Sequence, residues 1–289
     1  MSTVASSRAA SGDLVIEASR DRELLERFMS RDRIFAAYAI ADMDDTEFAR
    51  TRWGVAFEGG DPIAVVMEYR GLSPQPLFVM GEPRAIRAIL ADTIRTRIAY
   101  LAARPGVAPS ITDLYQVDAG AAMLRMWVDR ASFRQVSGAT VRLDAADTRH
   151  LNRLYELGLT QWLPAESVAT GVYHGVRRGG RLVAAAGTHV ISRTYGIAAV
   201  GNVYTARDVR GQGLAKQVTS AVTAELLESV GQVVLNVRAD NAAAVAVYRA
   251  LGYREHIGFE ERLVRRRLSL WDSIISPIRR YLPTLRRNG

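Results

Sequence analysis

Cysteine is absent from this 289-residue chain, and histidine is scarce. Without cysteine, the sequence excludes a disulfide framework, a thiol nucleophile and a cysteine-ligated metal site. The chain has four histidines: His150, His174, His189 and His256. They show none of the HExxH-type spacing that binds a metal, so we expect no metal site. Residues 1–8 lack the apolar core of a signal peptide, and no stretch approaches the ~20 apolar residues of a membrane span. We therefore expect a cytoplasmic protein.

Acidic residues are nearly missing from the C-terminal end. The formal net charge of the chain is +8, and residues 262–289 hold eight arginines and one acid, Asp272, for a net +7. The other 261 residues together carry about +1. A nearly neutral body argues against binding of a phosphate backbone across a broad face, so no nucleic-acid partner is expected.

The end of the chain, residues 269–289, is predicted to form a basic amphipathic tail. Its apolar residues alternate spacings of three and four, starting just before it: Leu268, Trp271, Ile275, Ile278 and Leu282. Such spacing is typical of one helix face. Two alternatives stay open: the stripe packs on the protein's own body, or it docks on an anionic membrane surface or a partner protein.

Glycine is concentrated at a turn within residues 200–215, between a β-prone run and a helical pattern. Gly211 and Gly213 can adopt backbone conformations closed to other residues, so N–H groups of the turn can converge on one ligand. The helix that follows has an apolar stripe that would fix it against a sheet: Leu214, Val218, Val222 and Leu226. Its N-terminus would carry unpaired N–H groups and a partial positive charge, which suits a pyrophosphate.

This turn fits neither of two common phosphate loops. A Walker loop ends in Gly-Lys-Ser/Thr, whereas this one ends in Gly213-Leu214-Ala215, and the Gly-x-Gly-x-x-Gly pattern of dinucleotide folds is not met. Arg210-x-x-Gly213-x-Ala215 instead resembles the acyl-CoA pyrophosphate loop of the GNAT (Gcn5-related N-acetyltransferase) superfamily, which reads Arg/Gln-x-x-Gly-x-Gly/Ala.

A second motif follows at the separation that this family requires. After the helix comes a β-branched strand, residues 233–238, and then a second helix. Asn241, Tyr248 and Leu251-Gly252-Tyr253 resemble the family pattern Asn-x-x-Ala-x-x-x-Tyr-x-x-x-Gly-Phe/Tyr. The resemblance covers residues 138–268 and implies an α/β fold with a mixed (α+β) sheet, the acyl-CoA N-acyltransferase fold.

The N-terminal half has a similar element order but no phosphate loop. We predict helices over 13–45, a hairpin turn at 59–62, a helix over 83–96, and strands at 111–117 and 123–129. This order resembles the degenerate first module of tandem family members, similar to the glycine N-acyltransferase-like group; an unrelated α/β substrate-binding domain is the alternative. The predicted domains are a disordered leader (1–12), the degenerate or substrate-binding module (13–130), the catalytic GNAT domain (138–268) and the basic tail (269–289).

The resemblance implies a role for each residue of the two motifs. Backbone N–H groups of one strand would stabilise the oxyanion of the thioester: Val203, Tyr204 and Thr205. The loop would hold the pyrophosphate of the acyl-CoA: Arg210, Gly211, Gln212, Gly213, Leu214 and Ala215. Asn241 would cap its helix, contact the pantetheine arm, or do both. Tyr248 matches the general acid that protonates the leaving CoA thiolate, with a core-facing tyrosine as the alternative.

Arg207 marks a departure from the family. Proline usually precedes the acidic residue that Asp208 matches, and here arginine stands in its place. We expect either a more flexible entry to the loop or a contact from Arg207 to the 3′-phosphate of CoA.

The general base that accepts the amine proton is not identifiable from the sequence. Five residues are candidates by region alone: Glu156, His174, His189, Glu260 and Glu261.

Two functions stay open. The first is an N-acyltransferase that moves an acyl group from acetyl-CoA, or another acyl-CoA, to a small-molecule or peptide amine by direct attack in a ternary complex. The second is a CoA-responsive regulatory module without turnover. Exposed strand edges also allow a homodimer.

Overall fold

The computed structural model describes residues 13–156 and 162–267. Its strands are β1 (Leu14–Ala18), β2 (Thr51–Glu58), β3 (Asp61–Tyr69), β4 (Gln75–Gly81), β5 (Ile98–Ala103), β6 (Tyr115–Val117), β7 (Ala121–Asp129), β8 (Val141–Arg142), β9 (His174–Arg178), β10 (Arg181–Ser192), β11 (Ile197–Thr205), β12 (Gln232–Arg238) and β13 (Arg254–Arg266). Its α-helices are α1 (Arg22–Met29), α2 (Ala37–Ala41), α3 (Asp45–Phe48), α4 (Pro83–Asp92), α5 (Val107–Ser110), α6 (Thr148–Leu154), α7 (Ala165–Thr170), α8 (Leu214–Leu227) and α9 (Ala242–Ala250).

One mixed sheet of 13 strands runs through both halves of the chain, in the order β1-β2-β3-β4-β5-β13-β7-β12-β11-β10-β9-β8, with β6 paired to β13. Two of its pairs are parallel, β4 with β5 and β11 with β12, and each is connected through a helix, α4 or α8. Each half therefore contains a strand–helix–parallel strand unit. Of the two, only the second carries the glycine loop before its helix, as expected for a degenerate first copy.

The two halves exchange strands at the centre of the sheet. The C-terminal strand β13 pairs with β5 of the N-terminal half on one side and with β7 on the other. In turn, all seven residues of β12, in the C-terminal half, pair with β7. The predicted domain limits, 13–130 and 138–268, therefore stay predictions. In the structure, each half contributes strands that pair with strands of the other half.

Apolar residues cover both faces of this sheet. On one face of the C-terminal half, α8 and α9 pack on the sheet, and the predicted α8 stripe is buried as expected: Leu214, Val218, Val222 and Leu226. On the opposite face lie α1 and α2 of the N-terminal half, whose buried residues pack with Ile197, Ala199 and Val234 of β11 and β12. The N-terminal half thus covers the sheet of the C-terminal half.

The structure differs from the sequence-based expectations in several elements. Residues 13–45 begin with the edge strand β1 rather than a helix, because Leu14–Ala18 pairs with β2. The helix predicted over 83–96 ends at Asp92. The strand predicted over 111–117 shrinks to β6, because the chain first forms α5 and a turn. No strand was predicted over the residues of β5 or β13.

The structure also shows where three arginines of the basic C-terminal end lie. Arg262 and Arg265 lie in β13, where they pair with Glu260 and Asp118. Arg266 donates to the carbonyl oxygen of Leu90 at 2.8 Å. These arginines therefore pair with acidic residues or donate to a backbone carbonyl of the body, and they do not belong to a separate tail. The predicted leader (1–12) and the whole predicted tail (269–289, with its stripe from Leu268) lie outside the described residues, and the docking of the tail stays a prediction.

Within the described ranges, no helix is long and apolar enough to cross a membrane.

Candidate active site

The strands β11 and β12 separate halfway along their length. Their parallel pairing runs from Ile197 opposite Gln232 to Val200 opposite Leu235 and then stops, although both strands continue. Beyond this point the edge of β11 that faces β12 makes no ladder with it. The predicted oxyanion donors Val203, Tyr204 and Thr205 lie in this part of β11, where Tyr204 and Thr205 still pair with β10 on the other edge. The split therefore leaves main-chain groups free to bind a carbonyl oxygen.

Two β-bulges lie beside the start of the split. In β10 the register with β11 shifts between Thr188 and Val190, so His189 is an extra residue. In β11 the shift lies between Gly201 and Tyr204, and Asn202 there has a positive φ of 52°. Bulges reorient side chains and are frequent next to active sites. Here they bring the side chains of His189 and Asn202 within hydrogen-bonding distance of each other.

The glycine loop lies beyond the end of β11 and leads directly into α8. Gly211 and Gly213 have positive φ angles of 77° and 73°, a region that favours glycine, and Gly213 is the residue that precedes α8. A Cβ added to either residue would have no protein atom within 4 Å. The loop is therefore an open, exposed turn at the N-terminus of a 14-residue helix. Of the predicted loop residues, only Leu214 is buried.

Arginine side chains surround this loop. Arg210 donates from Nε to the carbonyl oxygen of Thr205 at 3.2 Å, which ties the loop to the end of β11. Arg178 of β9 donates to Oε1 of Gln212 at 2.5 Å. Arg207 is exposed, and among the residues that the structure describes it has no ion-pair partner, while Asp208 pairs with Arg181. The surface around the turn is thus cationic, which favours a bound polyphosphate.

Asn241 and Tyr248 lie on α9, on the same face of the sheet as α8. The side chain of Asn241 caps α9 by accepting from the N–H of Ala244 at 3.1 Å, so the predicted capping role is observed. Tyr248 is 7% exposed, and burial raises the pKa of its phenol to about 12. No described residue forms a hydrogen bond with its hydroxyl. The ring stays protonated at neutral pH, as a proton donor must before it acts.

On the opposite face, four side chains form a continuous hydrogen-bonded chain. The Tyr38 hydroxyl lies 3.2 Å from Nδ1 of His189, and Nε2 of His189 lies 3.4 Å from Oδ1 of Asn202. Asn202 donates from Nδ2 to the Tyr173 hydroxyl at 3.1 Å, and Tyr173 donates to the carbonyl oxygen of Thr188. Tyr38 belongs to α2 of the N-terminal half. The chain therefore joins the two halves beside the split.

The environment keeps His189 neutral. The imidazole is open to solvent at one side, but the protein around it disfavours the charged form and lowers its pKa below the ordinary value of 6.5. The hydrogen bond to Asn202 acts weakly in the opposite direction. Above pH 6.5 His189 is thus predominantly neutral and able to accept a proton.

Other polar groups line the same face. Tyr155 donates to the carbonyl oxygen of Asn202 at 2.8 Å, and the Tyr204 hydroxyl lies 3.4 Å from a carboxylate oxygen of Glu156. Across the split, Asn236 of β12 donates to Glu261 at 3.3 Å. Burial raises the pKa of the Glu261 carboxyl, with nearby Arg125 lowering it less strongly.

The structure separates the five base candidates. His189, Glu156 and Glu261 lie on the face of α2. His174 instead pairs with Glu225 of α8, at 2.6 Å, about three helical turns from the glycine loop. Glu260 pairs with Arg262. Strand alternation places Glu260 on the face opposite Glu261.

Tyr38 and Arg125 were missed by the sequence reasoning. Arg125 of β7 is 3% exposed, donates to the carbonyl oxygens of Ile34 and Phe35, and lies 4.8 Å from the Tyr38 ring. It thereby fixes the turn that leads into α2. Both residues lie in the half without a motif, so nothing local in the sequence indicated them.

In residues 13–156 and 162–267, no group of three histidine, aspartate or glutamate side chains is arranged to hold a metal.

Comparison with known families matches the second half of the chain. The model of a family described as FR47-like protein matches residues 173–264, which span β11, the glycine loop, α8 and α9. The N-alpha-acetyltransferase RimI of Mycobacterium tuberculosis is 32% identical over 139 residues, which cover 44% of this chain and 83% of that protein.

Solved structures resemble both halves together. A Drosophila protein superposes with a TM-score of 0.64 at 13% identity, and the match covers 88% of this chain and 98% of the Drosophila chain. A tandem GNAT protein from the clavulanic acid biosynthesis pathway superposes with a TM-score of 0.55 at 15% identity, again covering 88% and 98%. At these identities the likeness concerns the fold. It confirms the predicted mixed-sheet acyltransferase fold in its tandem form.

Proposed function

Because this chain belongs to the GNAT superfamily of acetyltransferases, we propose that it transfers an acyl group, in the simplest case acetyl, from acyl-CoA to a primary amine. The amine attacks the thioester directly in a ternary complex, without a covalent enzyme intermediate. The acceptor is a small molecule or the N-terminus of a peptide; the name of the mycobacterial relative favours the peptide.

One observation carries this proposal: the glycine loop and the split between β11 and β12 lie at the same end of one strand. The loop follows β11 after a single 3-10 turn, Arg207–Val209, and the split occupies the last residues of β11. A pyrophosphate on the loop would direct the attached pantetheine arm along β11. The thioester would then lie in the split, against those main-chain groups of residues 203–205 that face β12.

The two faces of the sheet would serve the two substrates. Tyr248 lies with α8 and α9 on the face of the loop, where the CoA thiolate would leave. His189, Asn202 and Tyr204 lie beside the split toward the face of α2, where the amine would approach. Direct attack needs this arrangement, because the nucleophile and the leaving group must reach one carbonyl carbon. Oriented N–H donors at that carbon lower the barrier by ~3 kcal/mol each.

The test is amine-dependent release of thiol from acetyl-CoA by the full chain. The acceptor panel contains alkyl amines, amino acids and short peptides with free or blocked N-termini. We expect thiol release that saturates with both substrates and that fails with blocked peptides. Saturable acetyl-CoA binding without turnover on any amine would contradict the proposal and favour a CoA-responsive regulatory module.

A further inference from the structure

We propose that Tyr38 of the N-terminal half and His189 of the C-terminal half form one proton relay that accepts the proton of the attacking amine. This inference rests on the proposed transfer to an amine and names its base, which the sequence left open among five residues. It also gives the N-terminal half, which has no phosphate loop, a place in the chemistry.

The directions of the hydrogen bonds define the relay. The side-chain oxygen of Asn202 can only accept, so Nε2 of His189, 3.4 Å away, carries the proton of the neutral ring. Its Nδ1 is then a bare acceptor for the hydroxyl of Tyr38, 3.2 Å away. Asn202 is itself oriented, because its Nδ2 donates to Tyr173. The free lone pairs of the Tyr38 oxygen remain for a substrate N–H.

The fold makes room for this arrangement at a glycine. A Cβ on Gly201 would lie 2.2 Å from Nε2 of His189, and only 2.4 Å from two ring carbons. The imidazole therefore rests directly on the backbone of β11, one residue after its last pair with β12. Together with the two bulges, this places the ring beside the start of the split.

Tyr38 passes the proton on to His189 and is not the base itself. Burial raises the pKa of its phenol to about 12, while the guanidinium of Arg125 lowers it less strongly and the carboxylates of Glu261 and Asp42 raise it slightly. A phenolate is thus not available at neutral pH. Tyr38 can accept a proton only as it passes its own to His189.

The proton transfer accompanies formation of the C–N bond. The amine enters as the free base, and its lone pair forms the C–N bond while the carbonyl electron pair moves to oxygen. The amine proton passes to the Tyr38 oxygen as the phenolic proton passes to Nδ1 of His189. The C–S bond then breaks, the carbonyl re-forms, and the thiolate leaves with the electron pair and takes the phenolic proton of Tyr248, which regains one from water. Imidazolium, held by Asn202, returns its proton to water.

The test compares Tyr38→Phe, His189→Gln and the double variant with the full-length wild type at saturating acetyl-CoA. We expect each single variant to lower kcat about 100-fold with an unchanged KM for acetyl-CoA. The double variant should be no slower than the worse single variant, because both residues act in one relay. The matched controls are Tyr100→Phe, at an exposed position of β5, and His150→Gln, whose exposed imidazole lies 3.6 Å from Asp147; both should retain kcat. A Tyr38→Phe variant with wild-type kcat, or losses that multiply in the double variant, would overturn the relay.

A second measurement judges the relay without turnover. The ¹⁵N shifts of the His189 ring should report the neutral Nε2–H form at pH 7, with a shift at Nδ1 on Tyr38→Phe. An Nδ1–H tautomer, or a ring indifferent to Tyr38, would overturn the relay even if no amine were acetylated. Absence of turnover in the wild type with the expected ring state would instead count against the proposed transfer alone.

Discussion

The hydroxyl of Tyr38 and Nδ1 of His189 lie 3.2 Å apart, although 151 residues separate them in the chain. Tyr38 lies in α2 of the N-terminal half, whereas His189 lies in β10 of the C-terminal half. The contact exists because α2 packs on the sheet of the other half, on the face opposite α8 and α9. The N-terminal half thereby forms a wall beside the split in the sheet of the C-terminal half.

Gly201→Ala should remove the relay without touching either of its members. The new methyl group would overlap the His189 ring, so the imidazole must move away from the split. We expect kcat to fall about 100-fold with acetyl-CoA binding retained. The matched control is Gly258→Ala in β13, where the nearest atom to the new Cβ is 3.9 Å away. Equal activity of the two variants would show that the position of His189 is irrelevant.

Gly213→Ala tests the glycine loop. Alanine at a φ of 73° costs ~1–2 kcal/mol of folding stability, and the new methyl group would face the bound pyrophosphate. Gly59→Ala provides the matched control, because Gly59 has a φ of 60° and also has no atom within 4 Å. Thermal unfolding should show similar destabilisation of both variants, whereas calorimetry should show weaker acetyl-CoA binding only for Gly213→Ala. Equal affinities would place the pyrophosphate elsewhere.

Tyr248→Phe separates a catalytic hydroxyl from a structural one. Its hydroxyl makes no hydrogen bond with any described residue, so its removal should leave the unfolding temperature nearly unchanged while kcat falls about 100-fold. Tyr253→Phe should do the reverse. That hydroxyl is buried and bonded to Thr223 at 2.7 Å, so its loss should cost ~1 kcal/mol of stability and spare kcat. If Tyr248→Phe keeps full kcat, Tyr248 is a core residue and another group protonates the thiolate.

The pH dependence of the reaction follows from His189. Because its pKa is lowered below 6.5, the neutral base is present above that pH and is lost as the pH falls through the lowered value. The acidic limb of kcat/KM should therefore lie below pH 6.5. Asn202→Asp would place an anion next to Nε2, favour the imidazolium and move this limb to higher pH by ~1 unit or more.

Of the groups around the relay, Asp42 titrates close to this range, because burial raises the pKa of its carboxyl to about 8. Arg125 stays cationic, Tyr38 stays neutral, and Glu261 and Asp42 act on Tyr38 more than on His189. His189→Gln should abolish the limb. A limb that stays in place in both Asn202→Asp and His189→Gln would assign it to another group, such as the substrate amine.

The glycine loop, its helix and the cap at Asn241 could be predicted from the sequence because their signals are local. A turn that needs positive φ requires glycine at Gly211 and Gly213, and the buried stripe of α8 repeats every four residues. The cap at Asn241 likewise depends on a contact three residues away. Each of these patterns lies within a dozen residues of chain, where residue type and spacing suffice.

The acceptor side could not be predicted because it depends on contacts between distant residues. The strand β13 carries charge at over half of its 13 positions, so it lacks the apolar alternation of a strand. It becomes a strand because β5 and β7 offer it backbone partners on both sides. The same sheet brings Arg125 beneath Tyr38. The sequence therefore indicated the local structure of the glycine loop more readily than the contact between Tyr38 and His189.

The central claim is that the amine attacks the thioester directly in the split between β11 and β12. Initial rates measured while both acetyl-CoA and the amine are varied test it most directly, together with the intact mass of the protein after incubation with acetyl-CoA alone. Direct attack in a ternary complex predicts intersecting double-reciprocal lines and an unmodified protein. Parallel lines with an acetylated protein would contradict it, because they would require a covalent intermediate.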